Sequence, residues 1–282
     1  MDALAKWLLR FRLISIPAKS VANSKIAWSL ISRSDRVRAN RLRERLVLGE
    51  LPKHISIIMD GNRRFAWNKS SKTAVGHAEG KEKLKEVMDW VLDLGVPYFT
   101  VYALSTENIS ERDNEELEIL YDLYVSGLDE ISMDSRIHDR GVKVQVVGRL
   151  DMLPTRVRDS IENAENLTSQ YSDFTFTVCL AYGGREEIVD AVKSVATDHA
   201  SGTLDINSIN SSEITKRMYA AELPDPDLVI RTSGEERISN FLLWQIAYSE
   251  LHFTDVFWPS FSKSDLYEAI ESYQHRRRRY GE

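Results

Sequence analysis

The chain has 282 residues, of which 43% are hydrophobic and 28% charged, with a formal net charge of −6 and one cysteine. That length supports a sizeable core, in one large domain or two small ones. The lone Cys179 excludes an intrachain disulfide framework and fits a reducing, cytoplasmic setting, where a thiol inside an apolar run reads as core rather than nucleophile.

Residues 1–50 hold 11 basic and 4 acidic side chains, a net +7 that leaves −13 for the remainder. An acidic body with a basic arm argues against a nucleic-acid reader and for an arm that meets an anionic surface. Leu4, Trp7, Leu8 and Phe11 form an apolar stripe, but Lys6, Arg10 and Arg12 interrupt it, unlike the clean apolar centre of a signal peptide. Two readings fit: an interfacial amphipathic helix giving peripheral membrane association, or an arm packed on its own body or a partner. No run of about 18 uncharged apolar residues is present to span a membrane. Residues 1–50 are therefore a basic amphipathic extension and 51–282 the body.

The body opens on His54-Ile-Ser-Ile-Ile-Met-Asp-Gly-Asn-Arg-Arg-Phe65, a buried strand running into an acid, a glycine and two arginines. A polar loop follows over 68–73, then Gly76-His77. A helix is expected over 79–94, closed by Gly95 and Pro97. A strand over 98–104 ends in Ser105-Thr106-Glu107-Asn108. Then come a helix (115–131), a strand (142–147), a helix (154–167), a strand (174–180), a helix (186–196), a loop (201–210) and a helix (212–221). Residues 227–232 read as a strand, 241–248 as an aromatic-rich helix, 254–258 as a short extended piece and 263–280 as a C-terminal helix. Strand–helix alternation with no long linker predicts one α/β domain with a mainly parallel sheet of five or six strands, flanked by helices.

In a parallel sheet the carboxyl ends of the strands share an edge, where ligands bind. That edge then gathers Asp60, Asn62, Arg63 and Arg64; Ser105, Glu107 and Asn108; and Arg231 with Gly234, Glu235, Arg237 and Ser239, along with His77. Arginines suit phosphate oxygens, Gly61 allows close backbone approach, and Asp60 offers a hard oxygen to Mg²⁺. The mixture suits two anionic groups and a metal. No P-loop, dinucleotide fingerprint, nucleophile elbow, zinc motif or Asp-Asp-x-x-Asp pair is present.

These residues resemble a known family. Ser56 to Phe65, Gly76-His77, Ser105 to Asn108, and Asp227-Leu-Val-Ile-Arg-Thr-Ser-Gly-Glu-Glu-Arg-Ile-Ser-Asn-Phe-Leu-Leu-Trp244 are similar to the motifs of cis-prenyltransferases, the undecaprenyl diphosphate synthase family, in the family's order over about residues 52–282. The resemblance implies that family's six-stranded α/β fold, a hydrophobic tunnel, a homodimer, and the addition of isopentenyl diphosphate to an allylic diphosphate primer. The long polyprenyl diphosphate product would serve as a glycosyl carrier lipid. By motif position, Asp60 is implied as the Mg²⁺-linked catalytic aspartate and Glu250 as a second metal-linked carboxylate that acts within such dimers. Gly61, Asn62, Arg63, Arg64 and His77 would hold the primer diphosphate, with Phe65 beside the primer. Ser105, Thr106 and Glu107 would line the reacting end. Asn108 stands where a proton acceptor is often assigned, although a neutral amide is better suited to orienting a diphosphate or water. Arg231, Arg237, Ile238 and Ser239 would serve isopentenyl diphosphate, and Arg279-Tyr280-Gly281 resembles a segment that reaches the partner's site.

The tunnel is expected from the stripes Leu84, Val87, Met88, Val91 and Leu117, Leu120, Tyr124. The sequence departs from the family pattern at Thr73, Ile109, Glu111 and Glu236, with Lys72 and Arg112 beside the first and third. The pattern is closer to archaeal-type members, which points to a geranylgeranyl rather than a farnesyl primer. A non-catalytic partner subunit, which tends to lose the Asp-Gly-Asn-Arg loop, and transfer to a different acceptor are the competing readings.

Overall fold

The computed structural model describes residues 25–46 and 48–277, with side chains described from residue 34 to residue 276. The six strands are β1 (His54–Ile58), β2 (Tyr98–Tyr102), β3 (Val142–Val147), β4 (Phe174–Cys179), β5 (Leu228–Arg231) and β6 (Glu250–Phe253). They form one sheet in the order β3-β4-β2-β1-β5-β6 with every pairing parallel. All five residues of β1 are buried, as expected of a central strand covered on both faces. Its neighbours β2 and β5 hold Tyr102 and Arg231 level with Ile58, so the loops after these strands meet at one edge.

The helices are α1 (Lys25–Leu46), α2 (Asn62–Asn68), α3 (Thr73–Leu94), α4 (Thr106–Glu111), α5 (Asn114–Met133), α6 (Ser135–Asp139), α7 (Thr155–Thr168), α8 (Gly184–Ala200), α9 (Ser211–Thr215) and α10 (Lys263–Arg277). Helix α3 begins six residues before its expected start, so Gly76 and His77 are helical. Gly76 is required there, because a Cβ would stand 2.1 Å from the Asn62 carbonyl of α2. The short α2 and α4 were not expected; α4 is nucleated by a capping box in which Ser105 Oγ accepts from the Asn108 N–H at 3.0 Å.

Three expectations in the C-terminal third are corrected. Residues 241–248 form turns rather than a helix, since Ser239, Asn240 and Leu242 have φ of 48°, 63° and 43°. Helix α9 stops at Thr215 instead of 221, where the Tyr219 N–H turns to Glu187 Oε1 at 2.8 Å. The last strand is Glu250–Phe253, not 254–258.

The basic extension is partly folded onto the body. Ala39, Leu42 and Leu46 are buried against α10 in the main core, where each leucine contributes about 1.5–3 kcal/mol. Around them Asp35 accepts from Ser264, Arg38 pairs with Glu268, Arg45 with Glu271 at 3.1 Å, and Gln274 Nε2 donates to the Leu46 carbonyl at 3.0 Å. The stripe at Leu4 to Phe11 and the Arg279 to Gly281 segment lie outside the described residues. No helix among the described residues is long and apolar enough to cross a membrane.

Candidate active site

Strand β1 delivers Asp60 to the carboxyl edge, and the turn behind it is glycine for a physical reason. Gly61 has φ +103°, and a Cβ there would stand 2.8 Å from the Phe257 ring and 2.9 Å from Ser233 Cβ. The Asp60 main chain is clamped: its N–H donates to Thr232 Oγ1 at 2.9 Å and its carbonyl accepts from Trp258 N–H at 3.0 Å.

The Asp60 side chain lies between two arginines. Oδ2 accepts from Arg231 at 2.8 Å and Oδ1 from Arg64 at 3.1 Å. Burial pushes this carboxyl up, but the hydrogen bond and charge of Arg231, with those of Arg64, outweigh it and hold the pKa below the usual carboxylate value. Arg231 is 4% exposed, and its other terminal nitrogen donates to the Arg237 carbonyl at 2.5 Å and Ser239 Oγ at 2.7 Å. Arg64 also donates to Ser233 Oγ and, at 2.9 Å, to Glu235, which pairs with Arg237 in turn.

A second charged cluster is built around Glu116 of α5. Its carboxylate receives Arg63, His77 Nε2 at 2.8 Å and Arg112 at 2.7 Å. Burial would raise the Glu116 pKa, but these donors overcome it and keep the group ionised. Burial lowers the His77 pKa, and the charges of Arg112 and Arg63 add to that against the pull of Glu116. Arg112 also leans on Asn108 Oδ1 at 3.4 Å.

The two clusters border one cavity of about 600 Å³. Asp60, Asn62, His77, Asn108, Arg112 and Arg231 line its polar mouth, joined by Ser105, Glu107, Arg237 and Ser239. Its depth is apolar, with Leu84 of α3, Leu104 just after β2, Leu120, Tyr124 and Leu128 of α5, and Phe176 of β4. Phe176 stacks on Phe99 with ring centroids 5.6 Å apart. Of the expected stripes, Leu84, Leu120 and Tyr124 reach the cavity, whereas Val87, Met88, Val91 and Leu117 are core. Three lining residues carry a buried polar atom without a partner: Asn62 Oδ1, Arg112 Nε and Arg231 Nε. Buried polar groups are normally satisfied, so such atoms at a cavity wall suit a polar ligand.

Other expected site residues stand elsewhere. Arg63 and Arg64 meet the mouth through Glu116 and Asp60, and Gly61 and Thr106 flank it without bordering the cavity. Phe65 is buried with the Lys69 ammonium 4.0 Å from its ring centre, and Ile238 packs with Phe241 and Tyr182 on the far face. Glu250 is in register with Leu228 and hence with Ile55, at the opposite end of the sheet from Asp60, and pairs with Arg276 at 3.0 Å. Arg112, Glu116 and Asn240 were missed. Arg112 and Glu116 have the i, i+4 spacing of a helical ion pair, a signal present in the sequence.

A parallel sheet that gathers arginines, amides and carboxylates at its carboxyl edge, over a cavity with apolar walls, defines an α/β enzyme for a ligand with an anionic head and an apolar tail. A family model described as "Putative undecaprenyl diphosphate synthase" matches residues 58–281. The tritrans,polycis-undecaprenyl-diphosphate synthase (geranylgeranyl-diphosphate specific) of Methanopyrus kandleri is 52% identical over 240 residues, 85% of this chain and 88% of that one. The protein of the same name from Pyrococcus horikoshii is 49% identical, over 84% of this chain and 90% of that one. A crystal structure of lavandulyl diphosphate synthase from Lavandula x intermedia in complex with dimethylallyl diphosphate aligns with a TM-score of 0.75 and 31% identity, over 79% of this chain and 95% of that one. The chain belongs to the undecaprenyl diphosphate synthase family of cis-prenyltransferases. It is a transferase of prenyl groups that makes prenyl diphosphates by cis elongation.

Proposed function

We propose that the enzyme extends geranylgeranyl diphosphate with successive isopentenyl diphosphate units to a long, undecaprenyl-type diphosphate used as a glycosyl carrier lipid. The observation that carries this reading is the Asp60–Arg231 mouth opening directly into the apolar cavity. The archaeal relatives, named as geranylgeranyl-diphosphate specific, support the primer. In each cycle the allylic C–O bond breaks with diphosphate as leaving group, a C–C bond forms to the terminal alkene carbon of isopentenyl diphosphate, and a proton is lost.

The residues divide the work. His77, Arg112 and Asn62 are assigned to the primer diphosphate, with Arg63 oriented through Glu116. Arg231, Arg237 and Ser239 are assigned to isopentenyl diphosphate. Arginine charge in a water-poor mouth stabilises a departing diphosphate more than bulk water would. Asn108 orients a diphosphate, and a diphosphate oxygen is the better proton acceptor.

Asp60 fits as a Mg²⁺ ligand. Each oxygen accepts one arginine bond and keeps a lone pair, and Mg²⁺ commonly takes one or two carboxylates with substrate phosphates and water. No group of three or more His, Cys, Asp or Glu among the described residues is placed to share a metal. When bound, Mg²⁺ would neutralise diphosphate oxygens as a Lewis acid. Glu250 is assigned to such a site only across a homodimer, given its position at the other end of the sheet. Peripheral contact with the cytoplasmic face of a membrane through the basic extension would suit release of an apolar product. The intact Asp60 to Arg64 loop speaks against a non-catalytic partner subunit. Incubation with radiolabelled isopentenyl diphosphate and each allylic primer in turn, followed by chromatography of the products, tests the proposal. Extension of geranylgeranyl diphosphate in preference to farnesyl diphosphate is expected, and absence of incorporation with every primer would sink it.

A further inference from the structure

Besides Ser233, three non-glycine residues close together in the loop after β5 have left-handed backbone: Ser239, Asn240 and Leu242, at φ 48°, 63° and 43°. Such backbone persists where surrounding structure over-determines it, and it concentrates at functional sites. Here much of the constraint converges on Asn240. Its carbonyl accepts from the Gly184 N–H at 2.7 Å, and its Oδ1 accepts from the Arg185 N–H at 2.8 Å. Its Nδ2 donates to Glu107 Oε1 and to Glu186 Oε2, both at 3.0 Å. The amide orientation follows from the partners, since two are carboxylates and one is an N–H. Gly183 and Gly184 make room for the approach. A Cβ on Gly183 would stand 2.8 Å from Asn240 Nδ2, and one on Gly184 3.1 Å from the Asn240 carbonyl.

Asn240 joins two halves of the mouth. Ser239, just before it, receives Arg231 at 2.7 Å, and Arg231 holds Asp60. Phe241, just after it, is fully buried and stacks on Tyr102 at 4.7 Å and 16°. Glu107, on the other side, belongs to the capped turn that starts α4. Asn240 itself borders the cavity.

We infer that Asn240 is a positioning residue: by tying Glu107 to the strained 239–242 segment, it sets the separation between the residues at the primer's reacting end and those that hold isopentenyl diphosphate. The inference rests on the proposed two-diphosphate reading of the mouth. Misplacement of about 1 Å between reacting groups lowers rates by about 100-fold, so a small relaxation here is visible in turnover.

Two substitutions separate this role from plain structural support. Asn240→Gly adopts positive φ without strain but loses all three side-chain bonds. Asn240→Asp keeps an acceptor for the Arg185 N–H but sets a carboxylate against Glu107 and Glu186. Steady-state kinetics would be measured with isopentenyl diphosphate and geranylgeranyl diphosphate, alongside thermal unfolding. For Asn240→Gly we expect a cooperative unfolding transition, kcat down about tenfold, KM for isopentenyl diphosphate up about tenfold, and KM for the primer within about twofold. For Asn240→Asp, kcat/KM should fall about 100-fold and recover about tenfold on adding Glu186→Gln, whose amide donates to the new carboxylate. Should the Asp variant fail to fold, the Gly variant carries the test. Wild-type kinetics in Asn240→Gly, or a parallel rise of both KM values, overturns the positioning role. The wild-type control separates the readings: an active wild type with an unimpaired Asn240→Gly sinks the positioning role alone, whereas an inactive wild type sinks the reading of the mouth and the inference with it.

Discussion

Asp60 and Arg231 lie 171 positions apart in the chain and are joined by a 2.8 Å hydrogen bond at the ends of adjacent parallel strands. The pair links the two loops assigned to the two diphosphates. Arg231 is nearly inaccessible, and this carboxylate is its counter-charge.

Replacing Asp60 should therefore affect folding as well as chemistry. Asp60→Ala is expected to reduce isopentenyl incorporation by at least about 1,000-fold and to lower stability by about 1–3 kcal/mol, because Arg231 is left buried without its counter-charge. Inorganic diphosphate should restore part of the stability by taking the vacated place. Urea unfolding with and without diphosphate, beside the activity assay, checks this; unchanged turnover would remove Asp60 from the mechanism.

Glu116 is the common acceptor for Arg63, His77 and Arg112. Glu116→Gln should loosen all three and raise KM for the primer by about tenfold while changing KM for isopentenyl diphosphate by less than about threefold. Arg112→Ala should act in the same direction more strongly. A larger effect on isopentenyl diphosphate would mean that the two subsites are exchanged.

Arg237 is the most exposed cation of the mouth, and its ion-pair partner, Glu235, is shared with Arg64. It is free to turn toward an incoming anion. Arg237→Ala should raise KM for isopentenyl diphosphate by about tenfold and leave thermal stability within about 0.5 kcal/mol of wild type. The same kinetic experiment with the primer varied is the control.

His54 gives a pH dependence with a definite sign. Its Nδ1 meets the Pro224 carbonyl at 2.7 Å, so Nδ1 carries the hydrogen, and Nε2 accepts from Thr100 Oγ1 at 2.8 Å. Burial lowers its pKa from 6.5 to about 4. A group with a depressed folded pKa contributes stability that is present above its unfolded pKa and is lost as pH falls toward the folded value. That loss is about 3 kcal/mol between pH 6.5 and 4. Urea unfolding of wild type and His54→Gln at pH 7 and pH 4.5 should show a smaller acid loss in the variant, and equal losses would refute the assignment.

The extension should have two separable roles. Leu42 is buried against α10, so Leu42→Ala should cost about 2–5 kcal/mol, and deletion of residues 1–45 should lower the unfolding midpoint. Deletion of residues 1–24 spares that packing and should reduce binding to anionic liposomes. Unchanged liposome binding would leave the basic extension as a packing element only.

Local pattern and motif were enough to place β1, β2, β3, β4 and β5, and to single out Asp60, Asn62, His77, Arg231 and Ser239, all of which line the cavity. A central parallel strand is apolar along most of its length, and the residue that ends it stands at the ligand edge; both facts are written in His54 to Arg64. The tertiary structure decided what spacing along the chain does not encode. It placed Glu116 under three donors, Arg63 of α2, His77 of α3 and Arg112 just after α4. It held Ser239, Asn240 and Leu242 in left-handed backbone and 241–248 in turns where an aromatic-rich run reads as helix, because bonds to α8 and stacking on Tyr102 outweigh local propensity. It sent Phe65 and Ile238 away from the cavity, and it put Glu250 at the far end of the sheet through the register of β6 with β5. Strand order and register are set by packing between segments far apart in sequence, so that is where reading the chain one stretch at a time stops.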